Sequence, residues 1–208
     1  MNYSFEHREA AEALYDALVE DAFYAAMEKS VAGDHSDRRE AMLRYYDFSM
    51  QEAGHYGALH VPSHHPMGAA VWSRPLNSEQ KAPVAAQKRT FLEAFMGSAS
   101  LATYRRITRF MADHTEKHVA PHSWYLSILG LAPPFQGQGY GGRLLRPVLD
   151  HTDSLGRPTY LETFTPRNMR FYRKQGYREV ADFVEPLTQA RYWVMVREPL
   201  AVPSENSV

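Results

Sequence analysis

The chain has 208 residues with 23 Lys and Arg, 24 Asp and Glu and no Cys, and its formal net charge is −1. This near-neutral charge argues against a nucleic-acid partner or an anionic membrane surface, and the missing thiols exclude disulfides, thiolate metal sites and a cysteine nucleophile. No stretch approaches the roughly 18 apolar residues of a membrane span, and residues 1–12 contain no apolar signal-peptide core. We therefore expect one cytoplasmic domain over residues 1–208.

The first half of the chain, residues 1–122, is predicted to be mainly helical. Between Leu14 and Ala25 apolar residues recur at three- and four-residue steps, which predicts one helix over residues 9–29. Further helices are predicted over residues 36–53, capped by Ser36 or Asp37, and over residues 77–118, with a break near Gly97. Two short strands, residues 56–61 and 67–72, lie between these helices and are joined by a turn over residues 62–66.

The second half alternates strands and helices. Strands are predicted over residues 123–131, 159–164, 178–184 and 192–197. One helix ends at Gly156 and has Pro147 inside it, where a kink is expected. A short helix begins at the cap Thr165 with Pro166 at its first position, and it ends at Gly176. This order predicts an α/β, or mixed α+β, fold.

A glycine-rich loop joins the strand over residues 123–131 to the following helix. Gly137, Gly139, Gly141 and Gly142 leave the backbone N–H groups unobstructed, and the N-terminus of a helix adds partial positive charge. Such a loop is suited to binding a pyrophosphate group.

Two phosphate-binding patterns overlap on this loop. Gly137, Gly139 and Gly142 satisfy the dinucleotide-binding spacing, and Glu162 follows twenty residues later, which would suit a nicotinamide-dependent oxidoreductase. Against this alternative, residues 133–136 separate the strand from the first glycine, and too little chain follows for a doubly wound sheet.

The other pattern is Gln136-x-x-Gly139-x-Gly141, and a second motif follows about thirty residues later. That motif is Asn168-x-x-x-Tyr172-x-x-x-Gly176-Tyr177. Asn168 and Tyr172 are four residues apart on one predicted helix and therefore project from the same face. The two motifs together resemble the GNAT acetyltransferases. The strand sequence WYLSILGL, Pro147 and the segments LET and PRN resemble the puromycin N-acetyltransferase-like branch, over about residues 123–198.

The resemblance implies a GNAT-like fold, with a central mixed sheet flanked by helices and a splayed pair of strands that binds acetyl-CoA. Residues 123–198 would form the acetyl-CoA-binding half, and residues 1–122 the acceptor side. The family's first strand has only residues 2–7 available to it. The expected cofactor contacts are Leu129, Gly130, Leu131, Gln136, Gly137, Gln138, Gly139, Tyr140, Gly141, Gly142 and Asn168.

The same resemblance implies roles for individual side chains. Tyr172 matches the tyrosine that protonates the departing sulfur, and its alternative is an aromatic ring packed on a helix. Asn168 would bind the cofactor or orient a water, and its alternative is a hydrogen bond at the helix end near Thr165. The role of Glu162 follows from its strand instead: an acid among aromatic and aliphatic neighbours can have a raised pKa and relay the proton of the substrate through water, and the alternative is an outward-facing residue bonded to a neighbour.

Trp124 and Tyr125 line the acceptor cleft in one interpretation and pack in the core in the other. The expected acceptor is the amine of a small molecule, and a homodimer is compatible with the sequence. A related module that binds acyl-CoA without turnover stays open as an alternative.

The ten histidines raise the question of a metal site. His114 and His118 are four residues apart on a predicted helix, and His60, His64 and His65 form a cluster. Neither group has a third ligand at a supporting spacing, so we expect no metal.

Overall fold

The computed structural model describes residues 3–62 and 67–200. Its helices are α1 (Arg8–Leu18), α2 (Ala22–Ser30), α3 (His35–Tyr56), α4 (Ser78–Thr115), α5 (Tyr140–Ser154) and α6 (Pro166–Lys174). Its strands are β1 (Gly57–His60), β2 (Gly68–Ser73), β3 (Trp124–Leu131), β4 (Thr159–Thr163), β5 (Arg178–Val184) and β6 (Arg191–Arg197).

The strands form one six-stranded sheet in the order β1-β2-β3-β4-β6-β5. Among the described strands β3 and β4 are the parallel pair, and the other four pairings are antiparallel. This confirms the predicted mixed α+β architecture. Because β1 and β2 come from the first half of the chain, both halves contribute to the same sheet.

Helices cover both faces of the sheet. On one face, Leu14 of α1 and Met42 of α3 pack in a core that includes Val71 and Ile128. On the other face, Leu145 of α5 packs in a second core, together with residues of β2, β3, β4 and α6: Trp72, Leu126, Leu161 and Met169. The C-terminal half of α4 lies over β6 in a third core.

The predicted helix over residues 9–29 is wrong, because the chain forms two helices there. α1 ends at Leu18 and α2 begins after Asp21, whose side chain accepts a hydrogen bond from the backbone N–H of Phe23 at 3.0 Å. An Asp at this position favours a helix start over a helix interior, since its carboxylate satisfies a free backbone N–H. The break turns α2 toward the end of β4, where Thr165 Oγ1 lies 3.4 Å from Asp21 Oδ2.

The break predicted in the long helix is confirmed. α4 has non-helical backbone at Gly97, with φ of 86°. Glycine adopts this left-handed region without the clash that a Cβ atom would cause.

The N-terminal segment forms no strand over its described residues, 3–7. It is held by the buried Asp47 instead, whose Oδ1 accepts hydrogen bonds from the N–H groups of Glu6 and His7. Most of the predicted turn over residues 62–66 lies outside the described residues.

A β-bulge in β3 positions the rest of the site. Val71 pairs with Ile128 and Trp72 with Leu126, so Ser127 has no opposite residue in β2. An extra residue shifts the alternation of side chains along a strand. Leu126 and Leu129 therefore both face α5, and the consecutive Ser127 and Ile128 both face the side of α2–α4.

Candidate active site

The two central strands diverge. β3 pairs with β4 only from Trp124 to Leu126, opposite Thr159 to Leu161, and the ladder ends there. Beyond the bulge, residues 128–131 stay paired with β2 but have no partner in β4. The sheet therefore opens a gap at its centre, and backbone polar groups at a strand edge bind a ligand that lies in such a gap.

The glycine loop lies at the end of β3. It begins with a 3-10 turn (Pro133–Phe135), and α5 follows from Tyr140 with Gly139 as its N-cap. Gly137 and Gly139 have φ of 75° and 84°, and a Cβ atom on either would meet nothing within 4 Å. These two glycines are thus required by backbone conformation, and the space beside them is open. Among the residues that the structure describes, no side chain caps the N-terminus of α5, so the N–H groups of its first turn are available to an anion.

Two glutamines hold the loop in shape. Gln136 Nε2 donates to the carbonyl of Leu131 at 2.8 Å, and Gln138 Nε2 donates to the carbonyl of Pro134 at 2.7 Å. Both residues are exposed, as is the loop between them. Because both side-chain amides already donate to backbone carbonyls, the main potential donors to an anion in this loop are its backbone N–H groups.

Gly130 and Gly141 serve a different purpose from Gly137 and Gly139. A Cβ atom on Gly130 would lie 2.7 Å from Leu14 Cδ2, and one on Gly141 would lie 3.1 Å from Phe171 Cζ. These glycines let α1 approach β3 and let α6 approach α5. Gly142 and Tyr140 complete the first turn of α5, and neither is fully buried.

A cavity of about 400 Å³ lies on the other side of the gap. Its floor is the sheet, which contributes Tyr125, Tyr160 and Glu162, and its walls come from α2, α3 and α4. The ring of Tyr125 stacks on that of Tyr160, with centroids 4.7 Å apart. The volume is at the lower end of the range of small-molecule sites, which is about 300–1,000 Å³.

The carboxylate of Glu162 lines this cavity, so the residue does not face outward to solvent. It accepts hydrogen bonds from Thr115 Oγ1 and, at 3.1 Å, from the hydroxyl of Tyr125. Burial raises the pKa of Glu162 above its ordinary value, and the two hydrogen bonds oppose this rise because they favour the charged form. A carboxylate with a raised pKa is a better proton acceptor near neutral pH.

Tyr172 lies on α6 and is 7 % exposed. Its ring packs edge-on against Phe171 and Tyr177, with centroids 5.2 Å and 6.0 Å away. Burial raises the pKa of Tyr172, so its phenol is protonated at neutral pH. Both the packing and the acid interpretation fit this position.

Asn168 lies one turn before Tyr172 and is partly exposed. Its backbone N–H donates to the carbonyl of Thr165 at 3.0 Å, while its side chain bonds to none of the residues that the structure describes. Thr165 occupies the N-cap position of α6, as predicted, but its side chain makes no capping hydrogen bond.

The structure separates Trp124 from Tyr125. Tyr125 lines the cavity, whereas Trp124 is buried in the core beneath α5, with its ring 5.8 Å from that of His151. Adjacent residues of a strand face opposite sides of the sheet, so the two cannot line one cleft. Trp124 therefore packs in the core, which was the alternative to its lining the acceptor cleft.

Several cavity residues were not predicted from the sequence. The ammonium of Lys88 pairs with the carboxylate of Glu52 at 2.8 Å, and Asp21 and Tyr24 line the end near α2. On α4, Tyr104 and Thr115 are eleven residues apart and share a face, with Thr108 and Met111 between them. The helical spacing of these residues in the sequence is the pattern from which the cavity-lining face of α4 could have been predicted.

The histidines show no shared ligand geometry. His114 Nδ1 lies 2.7 Å from the carbonyl of Phe110, and its ring packs against Phe183. Within residues 3–62 and 67–200 no three His, Asp or Glu side chains come together as a metal site, and His64 and His65 lie outside these ranges. No helix in the described part of the chain combines the length and the apolar character of a membrane span.

Comparison with known proteins identifies the family. Residues 51–177, more than half of the chain, match the acetyltransferase (GNAT) family. An uncharacterized N-acetyltransferase of Schizosaccharomyces pombe is 32% identical over 80 residues, which are 38% of this chain and 32% of that protein. The match therefore spans about a third of the length of this relative.

Solved structures share the fold. Arylalkylamine N-acetyltransferase 2 of Aedes aegypti superposes with a TM-score of 0.60 at 11% identity, covering 93% of this chain and 94% of that one. The polyamine N-acetyltransferase of Drosophila melanogaster superposes with a TM-score of 0.52 at 16% identity, covering 90% and 94%.

The dinucleotide-binding alternative is not favoured. A doubly wound fold needs a largely parallel sheet, and here the described strands include a single parallel pair. Glu162, which would have to meet a ribose, bonds to Thr115 and Tyr125. The closer resemblance to the puromycin N-acetyltransferase-like branch stays a prediction. The mixed sheet, its central gap and the matched residues 51–177 together show that the chain belongs to the acetyltransferase (GNAT) family of enzymes.

Proposed function

We propose that the chain is an acetyl-CoA-dependent N-acetyltransferase that transfers an acetyl group directly to the amine of a small molecule. The observation that carries this proposal is the arrangement around the β3–β4 gap. An open glycine loop with helical N–H groups lies at one side, and the partly buried carboxylate of Glu162 lines a cavity at the other.

On the cofactor side, the backbone of residues 136–142 and the N-terminus of α5 would bind the pyrophosphate of acetyl-CoA. The open space beside Gly137 and Gly139 and the uncapped N–H groups fit such an anion. The backbone of Leu129 and Leu131, which β4 leaves unpaired, would hold the pantetheine arm in the gap. Asn168, on the neighbouring helix, would contribute a side-chain contact.

On the acceptor side, Glu162 would receive the proton of the incoming ammonium group, directly or through water. The neutral nitrogen then attacks the thioester carbon, the carbon–sulfur bond breaks, and Tyr172 donates its hydroxyl proton to the departing sulfur. The nitrogen is positively charged once the carbon–nitrogen bond has formed, and it loses its second proton to solvent to give the amide. Solvent also returns a proton to Tyr172 and removes one from Glu162. The raised pKa of Tyr172 keeps its phenol protonated before the transfer, and the raised pKa of Glu162 makes its carboxylate a stronger base.

Two features support a small acceptor. The cavity is walled by three helices as well as the sheet, which leaves little room for a folded polypeptide. The two insect structures are named for small amines, a polyamine and an arylalkylamine. The resemblance to the puromycin N-acetyltransferase-like branch adds aminoacyl and aminonucleoside compounds to the acceptors worth testing.

The proposal is tested by release of free CoA thiol from acetyl-CoA over a panel of such amines, together with thermal shifts in acetyl-CoA, CoA and NADH. Acetyl-CoA should stabilise the protein and at least one amine should release thiol. Stabilisation by NADH alone would contradict the proposal. Binding of CoA without thiol release from any amine would favour a non-catalytic module.

Replacing Tyr172 provides a sharper test. Tyr172→Phe should lower kcat by about 100-fold while the Kd of acetyl-CoA stays nearly constant, because the lost proton matters only in the transition state. Tyr177→Phe is the matched control, since its buried hydroxyl bonds to Thr159 in the core. Equal loss of kcat in both variants would show that Tyr172 only packs.

A further inference from the structure

The acceptor cavity is richer in acids than the proposed chemistry needs. Besides Glu162, it is lined by Asp21, Glu52 and Glu116. Lys88 is the one lysine or arginine among its described lining residues, and it is already paired with Glu52 at 2.8 Å. Glu116 is exposed at the edge of the cavity. Two partly buried carboxylates therefore remain, those of Asp21 and Glu162.

Neither of these two carboxylates has a cationic partner in the described part of the chain. No lysine, arginine or histidine there lies within 4.0 Å of Asp21 or Glu162. Burial raises the pKa of both groups, which is the response of a carboxylate that lacks a compensating charge. Asp21 uses Oδ1 to cap α2, and the backbone N–H of Tyr24 also favours its charged form. Among the described side chains its Oδ2 has one contact, a long one of 3.4 Å to Thr165 Oγ1. That oxygen has capacity for a strong donor.

The other walls also suit a cation. The faces or hydroxyls of Tyr24, Tyr45, Tyr104, Tyr125 and Tyr160 line the cavity. Inside it, the ammonium of Lys88 already lies 5.7 Å from the ring centroid of Tyr45, so a cation is accommodated against these rings. A cavity lined by aromatic rings and carboxylates can bind an alkylammonium group in two ways, by cation–π contacts with the rings and by ion pairs with the carboxylates.

An acceptor with a single amine would satisfy at most one of the two carboxylates. We propose that the cavity takes a small dibasic acceptor, whose reacting amine lies at Glu162 and whose second cationic group, an ammonium or guanidinium, is held by Asp21. This inference rests on the proposed function, because it names the acceptor of the same site. Asp21 acts here as a specificity residue that contacts the second cationic group of the substrate.

Three amines of equal length provide the test. Diaminopentane, pentylamine and aminopentanoic acid present the same terminal amine on a five-carbon chain, with a cation, a methyl group and a carboxylate at the far end. With the full chain and acetyl-CoA, kcat/KM should be highest for diaminopentane and lowest for aminopentanoic acid. The ratio of diaminopentane to pentylamine should be at least about tenfold, as expected for a charge-assisted hydrogen bond.

Asp21→Asn should bring this ratio down to about one, mainly by raising KM for diaminopentane, because a remote contact contributes to binding. Asn keeps the side-chain oxygen that caps α2, so the fold should survive the change. Glu20→Gln is the matched control. It removes a charge from the adjacent residue, which is 77% exposed and pairs with Arg167 outside the cavity, so the ratio should stay within about twofold of the wild-type value.

Two outcomes would overturn the inference: a wild-type ratio near one, or an unchanged ratio in Asp21→Asn. Failure of the proposed function is distinguishable, since it would appear as no thiol release from any amine. In that case thermal shifts with the three amines still test whether Asp21 binds the second cationic group. Diaminopentane should stabilise the wild-type protein more than pentylamine does, and this difference should vanish in Asp21→Asn; equal shifts would refute the role of Asp21.

Discussion

The two sides of the β3–β4 gap differ in the groups that line them, which are backbone groups on one side and side chains on the other. At the glycine loop the groups proposed to bind a ligand belong to the backbone, and the residues from Gln136 to Gly139 are exposed. In the cavity the proposed ligand contacts are side chains from α2, α3, α4 and the sheet, and the carboxylate of Glu162 is partly buried. The first side is made by one continuous segment, and the second by residues far apart in sequence.

This difference determines how each side should respond to mutation. A change in the loop acts through backbone conformation, so its effect depends on φ and on space for a Cβ atom. A change in the cavity acts through charge and proton affinity, so its effect depends on burial and hydrogen bonds.

The largest effect is expected at Glu162. Glu162→Gln keeps the shape and hydrogen-bonding capacity of the side chain but cannot accept the proton, so kcat should fall by about 100-fold or more in the thiol-release assay. Glu185→Gln is the control, because Glu185 is fully buried and bonds only to the N–H groups of Leu187 and Thr188 in its own turn. It should cost stability and leave kcat within about twofold. A similar loss in both variants would refute the role of Glu162.

The next effect is expected in the loop. Gly139→Ala forces alanine into φ of 84°, and the Kd of acetyl-CoA, measured by calorimetry, should rise by about tenfold or more. Gly156→Ala introduces the same kind of strain at the other end of α5, where φ is 61° and the space is open. It should lower stability and leave the Kd unchanged. If both variants weaken binding alike, the loop has no special part in it.

A smaller effect is expected in the pH dependence of the rate. Thr115→Val removes a hydrogen bond that favours the charged form of Glu162, so the pKa of that carboxylate should rise further above its ordinary value. Glu162 must be deprotonated to accept a proton, and activity therefore falls as pH decreases through its pKa. The acidic limb of the kcat–pH profile should move to higher pH in Thr115→Val. A limb that moves to lower pH would contradict this assignment.

The smallest effect concerns stability outside the site. Gly97→Ala places a side chain at φ of 86° and should destabilise the protein by about 1–2 kcal/mol in urea unfolding. Gly54→Ala, inside α3 with nothing within 4 Å of the added Cβ atom, should stabilise it by about 0.5–1 kcal/mol. If the free energy of unfolding changed in the same direction in both variants, the break in α4 would not depend on the conformation of Gly97.

Local patterns in the sequence predicted most of the elements in the second half. The strands predicted over residues 123–131 and 178–184 match β3 and β5 within one residue, because apolar alternation and glycine or proline at their ends are local signals. The glycine loop, the turn into α5 and the positions of Tyr172 and Asn168 on α6 were predictable for the same reason. The break at Gly97 also needs only one residue to specify it.

Other features could not be predicted because they depend on tertiary contacts. Asp21 interrupts an apolar periodicity that continues across it, and its capping bond outweighs that pattern. The bulge at Ser127 leaves no mark in the alternation of β3, yet it decides which face Ile128 and Leu129 occupy. The separation of Trp124 from Tyr125 follows from the face of the sheet that each helix layer covers.

Short continuous segments encode the family motifs, the glycine-rich loop and the candidate groups Glu162 and Tyr172, so these could be found without a structure. Three further features follow from the folded chain alone: Glu162 lines a cavity, Thr115 and Tyr125 bond to it, and Asp21, 141 residues away in the chain, lines the same cavity. A cavity wall is assembled by packing, and packing brings together residues whose positions in the sequence carry no shared pattern.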